Sequence, residues 1–160
     1  MPSLVDTNIL LYRVDPRDPA KQRIAARLLE AGIRDESLVL AHQTLIEFVA
    51  AATRPQKALR GAPLLAPADA LAEVEGLLAQ FPVLYPTREQ LMTAMRGSAL
   101  YGLAWFDAQI WACAEVNGLT ELISEDFQHG RHYGGVRARD PFLAADGGVH
   151  ELPALYATGS

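Results

Sequence analysis

Ser3-Leu4-Val5-Asp6-Thr7-Asn8, running on into Ile9-Leu10-Leu11-Tyr12, sets an apolar run, a polar triplet and a second apolar run end to end. Ser3 to Asp6 reads as a short buried strand that stops at a carboxylate, and Thr7 or Asn8 can then cap a turn around Ile9 to Tyr12. The rest of the chain repeats this alternation of short apolar runs with helical spacing. After the Pro-bounded stretch Asp15 to Pro19, Ile24, Leu28 and Ile33 fall near one helical face, while Lys21, Arg23, Arg27 and Glu30 lie on others and Gly32 marks the end. Leu38 to Leu40 is a second strand, and Gln43 to Thr53 returns to helical spacing through Leu45, Phe48, Val49 and Ala52 before Pro55. Arg54 to Pro67, with three prolines, is a surface loop.

Ala68 to Gln80 is an amphipathic helix carrying Leu71, Val74, Leu77 and Leu78, and Val83 to Tyr85 is a third strand. Thr87, followed by Glu89 and Gln90, resembles a capping start for a helix with Leu91, Met95 and Ala99. Phe106 to Asn117 is the best-patterned helix, with Phe106, Ile110, Cys113 and Ala114 on one side and Gly118 as its stop. Glu121 to Ser124 is a fourth strand and Val136 to Ala138 a marginal fifth. Strands separated by helices pair in parallel through right-handed crossovers, so the fold class expected is an α/β sandwich with four to five strands.

Composition sets the limits. The chain has 160 residues, half of them apolar, with a net charge of −5 and one cysteine, Cys113. That is one domain with a sizeable core, and it excludes an internal disulfide or a Cys-rich zinc site. The polar triplet Asp6-Thr7-Asn8 interrupts any signal-peptide core, and no run approaches the ~20 apolar residues of a spanning helix, so no membrane partner and a cytoplasmic location are expected. The acidic balance argues at face value against nucleic acid, but setting four particular acids aside leaves acids and bases nearly equal.

Those four acids are Asp6, Glu47, Asp107 and Asp126. Parallel sheets bind ligands outside the carboxyl ends of their strands, and there Asp6 closes the first strand and Asp126 the fourth. Asp107 sits in the first turn of its helix, and Glu47 lies between Ile46 and Phe48 where packing alone would not choose it. Each has a plain alternative: a dipole partner for Asp107, an Asx turn for Asp6, a solvated surface acid for Glu47 and Asp126. Together they repel one another unless a cation compensates, and a set of oxygen ligands with no cysteine or histidine beside it points to Mg²⁺ or Mn²⁺. Phosphodiester hydrolysis is chemistry suited to such a site.

Other motifs are weak. No glycine-rich nucleotide loop and no G-x-S-x-G occurs. His129 and His132 lie on a Gly-interrupted loop, read as a surface or RNA-contacting segment, while Trp105, Phe106 and Trp111 read as packing aromatics.

The order Val5-Asp6-Thr7-Asn8, Glu47-Phe48, Leu103-Ala104-Trp105-Phe106-Asp107-Ala108 and Leu122-Ile123-Ser124-Glu125-Asp126-Phe127 resembles a PIN domain, and more narrowly a VapC-type ribonuclease toxin. Ser124 to Gly130 and the closing Asp140-Pro141-Phe142 add to that likeness, which spans residues 1–143; residues 144–160 form a tail with no assignment. The resemblance implies a three-layer α/β/α sandwich around a parallel sheet, Mg²⁺- or Mn²⁺-dependent endonuclease action on RNA, a small cognate antitoxin and a homodimer. It implies that Asp6 and Asp107 ligate the metal, with Glu47 and Asp126 completing the set and Thr7, Asn8 and Ser124 in polar support. The family often has Trp directly before the third acid, where this chain has Phe106, with Trp105 one place earlier. Glu125 beside Asp126 leaves open which carboxylate faces the site, since a continuing strand would turn only one inward.

Arg13, Arg17 and Lys21 near the first acid, and Arg131, Arg137 and Arg139 near the last, are candidate RNA-phosphate contacts. Alternative readings are a housekeeping RNA-processing nuclease of the same fold, a phosphatase using Asp6 as nucleophile, and a non-catalytic partner-binding module. The phosphatase would want a carboxylate where this chain has Asn8.

Overall fold

The computed structural model describes residues 1–143; the unassigned tail, 144–160, lies outside the described residues. The elements in chain order are β1 (Ser3–Val5), α1 (Thr7–Val14), α2 (Pro19–Asp35), β2 (Leu38–Ala41), α3 (His42–Thr53), α4 (Pro67–Gln80), β3 (Val83–Leu84), α5 (Arg88–Tyr101), α6 (Trp105–Val116), β4 (Glu121–Ile123), β5 (His132–Tyr133) and β6 (Val136–Arg139). The sheet runs β3-β2-β1-β4-β6-β5. All pairings are parallel except that of β5 with β6. The sheet thus has one strand more than expected, because His132, read as part of a loop, begins a two-residue strand too short for any sequence period to reveal.

Strand alternation builds the three layers. Leu4 and Leu122 pack on one face with Ala94, Ala108, Ile110 and Trp111 of α5 and α6. Val5, Leu40 and Ile123 pack on the other with Ile9, Leu10, Ala25, Leu29, Phe48 and Leu77 of α1 to α4. Successive residues on a strand face opposite ways, so each of β1, β2 and β4 feeds both cores.

The chain leaves β1 toward β2 and β3, then crosses back through α5 and α6 to β4 on the other side of β1. The reversal of strand order therefore falls between β1 and β4, where an open α/β sheet leaves a crevice at the strand exits.

Three local readings are corrected, on α1, α2 and α6. Asp6 itself caps α1, accepting from the Thr7 backbone N–H at 2.7 Å, so Thr7 and Asn8 sit buried in the first turn instead of serving as caps. On α2, Ala25, Leu29 and Gly32 are buried while Ile24, Leu28 and Ile33 are half-covered, and Lys21, placed on a polar face, is wholly buried. On α5 the buried residues are Gln90, Thr93, Ala94 and Gly97, and Leu91 and Met95 face outward. On α6, Trp111 is the packing aromatic, its indole N–H donating to the Tyr133 carbonyl at 2.8 Å, whereas Trp105 and Phe106 are exposed. Among the described residues no helix is long and apolar enough to cross a membrane.

Gly97 explains which face of α5 is buried. A Cβ there would collide with the six-membered ring of Trp111, so the small-residue side of α5 must lie against α6 and the larger apolar side chains turn out. Gly97→Ala should therefore lower stability by about 1–3 kcal/mol, the usual cost of overpacking. Gly76→Ala, in the open on α4, should raise it by about 0.5–1 kcal/mol through helix propensity. Urea unfolding midpoints of the two variants check both signs; a stabilised Gly97→Ala would refute the packing argument.

Candidate metal centre at the strand exits

Asp6 continues β1 across the crevice. Its backbone N–H donates to the Ile123 carbonyl at 3.0 Å, and the register Val5 with Ile123 sets Asp6 beside Ser124. Oδ2 of Asp6 accepts from the Ser124 hydroxyl at 2.7 Å, while Oδ1 takes the Thr7 N–H. The β3-to-β4 crossover returns α6 to the same end of the sheet, with Asp107 in its first turn. Oxygen atoms of Asp6, Asp107 and Asp126 lie within 4.8 Å of one another.

The turn after β4 answers which of Glu125 and Asp126 joins them. Asp126 does: its backbone N–H donates to the Ser124 Oγ at 3.0 Å and its carboxylate accepts from the Asn8 amide at 3.2 Å. Glu125 turns to the opposite face, where the Tyr12 hydroxyl and the Lys21 ammonium hold it.

Glu47 is not within the three-acid group. It stands beside it on α3, its Oε2 accepting from the Thr7 hydroxyl at 2.9 Å and its Oε1 from the Gln43 amide at 2.7 Å. Gln43 also donates to the Phe106 carbonyl at 2.9 Å, tying α3 to the turn that delivers Asp107. Gln43 went unread in the sequence although its signal was there, since it lies one helical turn before Glu47 on the same face.

Electrostatics mark Asp6 as the strained member. Burial, then the negative charge of Asp126, push its carboxyl up from the usual 3.8 to about 8; the Ser124 and Thr7 hydrogen bonds oppose this, and Asp107 adds a smaller push upward. The donors present are oxygens only, with hydroxyl and amide groups orienting them, which fits a hard divalent cation such as Mg²⁺ or Mn²⁺. Cys113, buried in α6, takes no part; burial pushes its thiol up to about 11.

The basic candidates are mostly engaged elsewhere. Arg13 pairs with Glu73 and Arg17 with Asp15, each at 2.8 Å, and Arg139 pairs with Glu121 at 3.2 Å. The Arg131 guanidinium lies over the Tyr133 ring at 4.6 Å, and Arg137 is exposed on β6. Lys21, fully buried, cannot meet a phosphate on the surface, which removes it from that set.

Comparison with known folds agrees with this architecture. A toxin-antitoxin complex from Klebsiella pneumoniae is similar at TM-score 0.61 and 22% identity, over 87% of this chain and 97% of that one. DNA-bound VapBC from Salmonella typhimurium is similar at TM-score 0.63 and 19% identity, over 88% and 99%. FitAcB from Neisseria gonorrhoeae is similar at TM-score 0.59 and 18% identity, over 88% and 99%. At such identities the likeness is one of fold. A search of curated proteins finds no sequence match. The PIN domain family model, however, matches residues 3–134, spanning β1 through β5 and all three clustered acids. With sequence pattern, strand order and acid geometry in accord, the chain belongs to the PIN domain family.

Proposed function

We propose that the protein is a Mg²⁺- or Mn²⁺-dependent endoribonuclease of the VapC type, the toxin of a toxin-antitoxin pair. The observation that carries this reading is the convergence of Asp6, Asp107 and Asp126 at the sheet's switch point, in a chain of the PIN family. Asp6, Asp107 and Asp126 are the residues that would hold the ion. A divalent ion there supplies charge neutralisation at phosphoryl oxygens and a lower pKa for water. Glu47, fixed by Thr7 and Gln43 at the edge of the cluster, takes the proton of the attacking water on a carboxylate oxygen. Attack by water leaves a 5′-phosphate and a 3′-hydroxyl and makes no use of the ribose 2′-hydroxyl as nucleophile. Trp105 and Phe106, exposed just before Asp107, offer flat faces for neighbouring bases.

Two features support protein partners. Leu91, Met92, Met95 and Leu100 leave an apolar side of α5 uncovered, which fits a second copy of the chain. The acid crevice fits an antitoxin segment that inserts an arginine between the carboxylates. The VapBC complexes among the similar folds favour this second partner. A short neighbouring reading frame with a DNA-binding N-terminus and an Arg-containing apolar C-terminus would separate a toxin from a housekeeping nuclease.

Asp6→Asn and Asp107→Asn should each reduce Mg²⁺-dependent RNA cleavage by at least about 100-fold while circular dichroism shows a native fold. Wild-type cleavage by either folded variant would end the assignment.

The raised Asp6 pKa sets a stability test for metal-free protein. Between the ordinary 3.8 and about 8 the folded chain holds a proton on Asp6 that the unfolded chain has lost. Asp6 therefore makes stability fall as pH rises through this interval and adds no further slope above it. Urea midpoints at about pH 5 and about pH 8 should drop more steeply for wild type than for Asp6→Asn, and Mn²⁺ should restore the wild-type value at the higher pH. Equal slopes for the two proteins would contradict the buried-acid account.

A further inference from the structure

On the far side of β4 from the acid cluster lies a second polar group, enclosed in the core. Lys21 of α2 is fully buried, and its ammonium pairs with the Glu125 Oε2 at 2.7 Å, the two side chains being 1% and 3% exposed. The Tyr12 hydroxyl of α1 donates to the other Glu125 oxygen at 2.7 Å and accepts from the Lys21 ammonium at 3.3 Å. The rings of Tyr12 and Phe142 cover the ammonium at 4.7 and 5.0 Å. A buried ion pair of this kind gives little net stability over a well-packed apolar pair, so stability alone is a poor account of it.

Its place in the chain supplies a better one. The three residues after β4 are held alternately: Ser124 and Asp126 toward Asp6 and Asn8, and Glu125 away from them. A slip of one residue would carry Glu125 into the acid cluster and Asp126 toward the apolar core around Ile123.

We propose that Lys21 and Tyr12 are positioning residues for the metal centre: by clamping Glu125 on the opposite face, they fix the direction in which Asp126 presents its carboxylate. The proposal rests on the metal-site reading given above. Neither residue touches the reacting groups; each acts through the backbone of the Ser124–Asp126 turn.

The test separates metal binding from stability. In Lys21→Met/Glu125→Leu an apolar pair replaces the ion pair, so the urea midpoint should fall only by what the Tyr12 hydroxyl loses with those two partners. Mn²⁺ affinity by calorimetry should nevertheless weaken about 10-fold or more, with a broadened Mn²⁺ electron paramagnetic resonance spectrum and a matching loss of RNA cleavage. A folded double variant that binds Mn²⁺ within about twofold of wild type overturns the proposal. Should the double variant fail to fold, Tyr12→Phe decides: removing one hydroxyl should weaken Mn²⁺ binding about threefold, and unchanged affinity overturns the proposal. Wild-type protein that binds no Mn²⁺ overturns the metal reading and the proposal with it, an outcome distinct from normal wild-type binding with unchanged variants.

Discussion

Carboxylates packed where the sheet reverses its strand order repel one another, and the elements around them hold them there against that repulsion. Two unit charges whose oxygens lie up to 4.8 Å apart repel by about 3–4 kcal/mol at an effective dielectric of about 20. Asp6 faces two such neighbours and is itself buried. The opposing hydrogen bonds from Ser124 and Thr7 are worth about 1.5–3 kcal/mol each to a charged acceptor. Repulsion and desolvation win, so without a cation the proton stays on Asp6 near neutral pH. Every element around the site can be seen as holding these groups where they would not otherwise stay. The helix α1 begins at Asp6, the β1–β4 pairing locks Ser124 beside it, and α6 starts at the crevice with Asp107 in its first turn.

Much of this was legible in the sequence because strand exits and helix starts leave local marks. An apolar triplet ending in an acid marks β1, and the acid in the first turn of the Phe106–Asn117 pattern marks the start of α6. What the sequence withheld depended on partners far along the chain. The spacing of Ile24, Leu28 and Ile33 sets Lys21 on another face of α2, and nothing local reveals its burial, since a lysine is rarely buried unless paired and its partner, Glu125, lies over a hundred residues later. The choice between Glu125 and Asp126 turned on the same distant contact. No apolar period marks the buried side of α5: Leu91 and Met95 face outward, and the contact that sets the face is Gly97 against Trp111, a residue of the next helix. Phe106 misled for the opposite reason. It is apolar and in helical phase with Ile110, but it sits in the first turn of α6 and is exposed.

The strand exit after β4 therefore works in two directions at once. Ser124 and Asp126 belong to a polar crevice, while Glu125 is drawn into an enclosure of Tyr12, Lys21 and Phe142 contributed by α1, α2 and the end of the described chain. Burying two opposed charges costs several kcal/mol each before their attraction and hydrogen bonds offset it. A single anchor on one face would leave the turn free to rotate. Anchors on both faces tie its direction to α1 through Tyr12 and to α2 through Lys21 as well as to the sheet.

The chain is acidic overall, and Arg13, Arg17 and Arg139 are each committed to a carboxylate. Little unspent positive charge remains along the first helix to attract a phosphate backbone at long range. Under the reading proposed above, a phosphate nearing Asp6, Asp107 and Asp126 would meet net repulsion, and a divalent cation reverses the sign at that one place. Affinity for RNA is then tied to metal occupancy and confined to the crevice. Under the same reading, discrimination among RNAs would come from the surface beside the crevice, where Trp105 and Phe106 are exposed just before Asp107, since the shared carboxylates recognise only a phosphate.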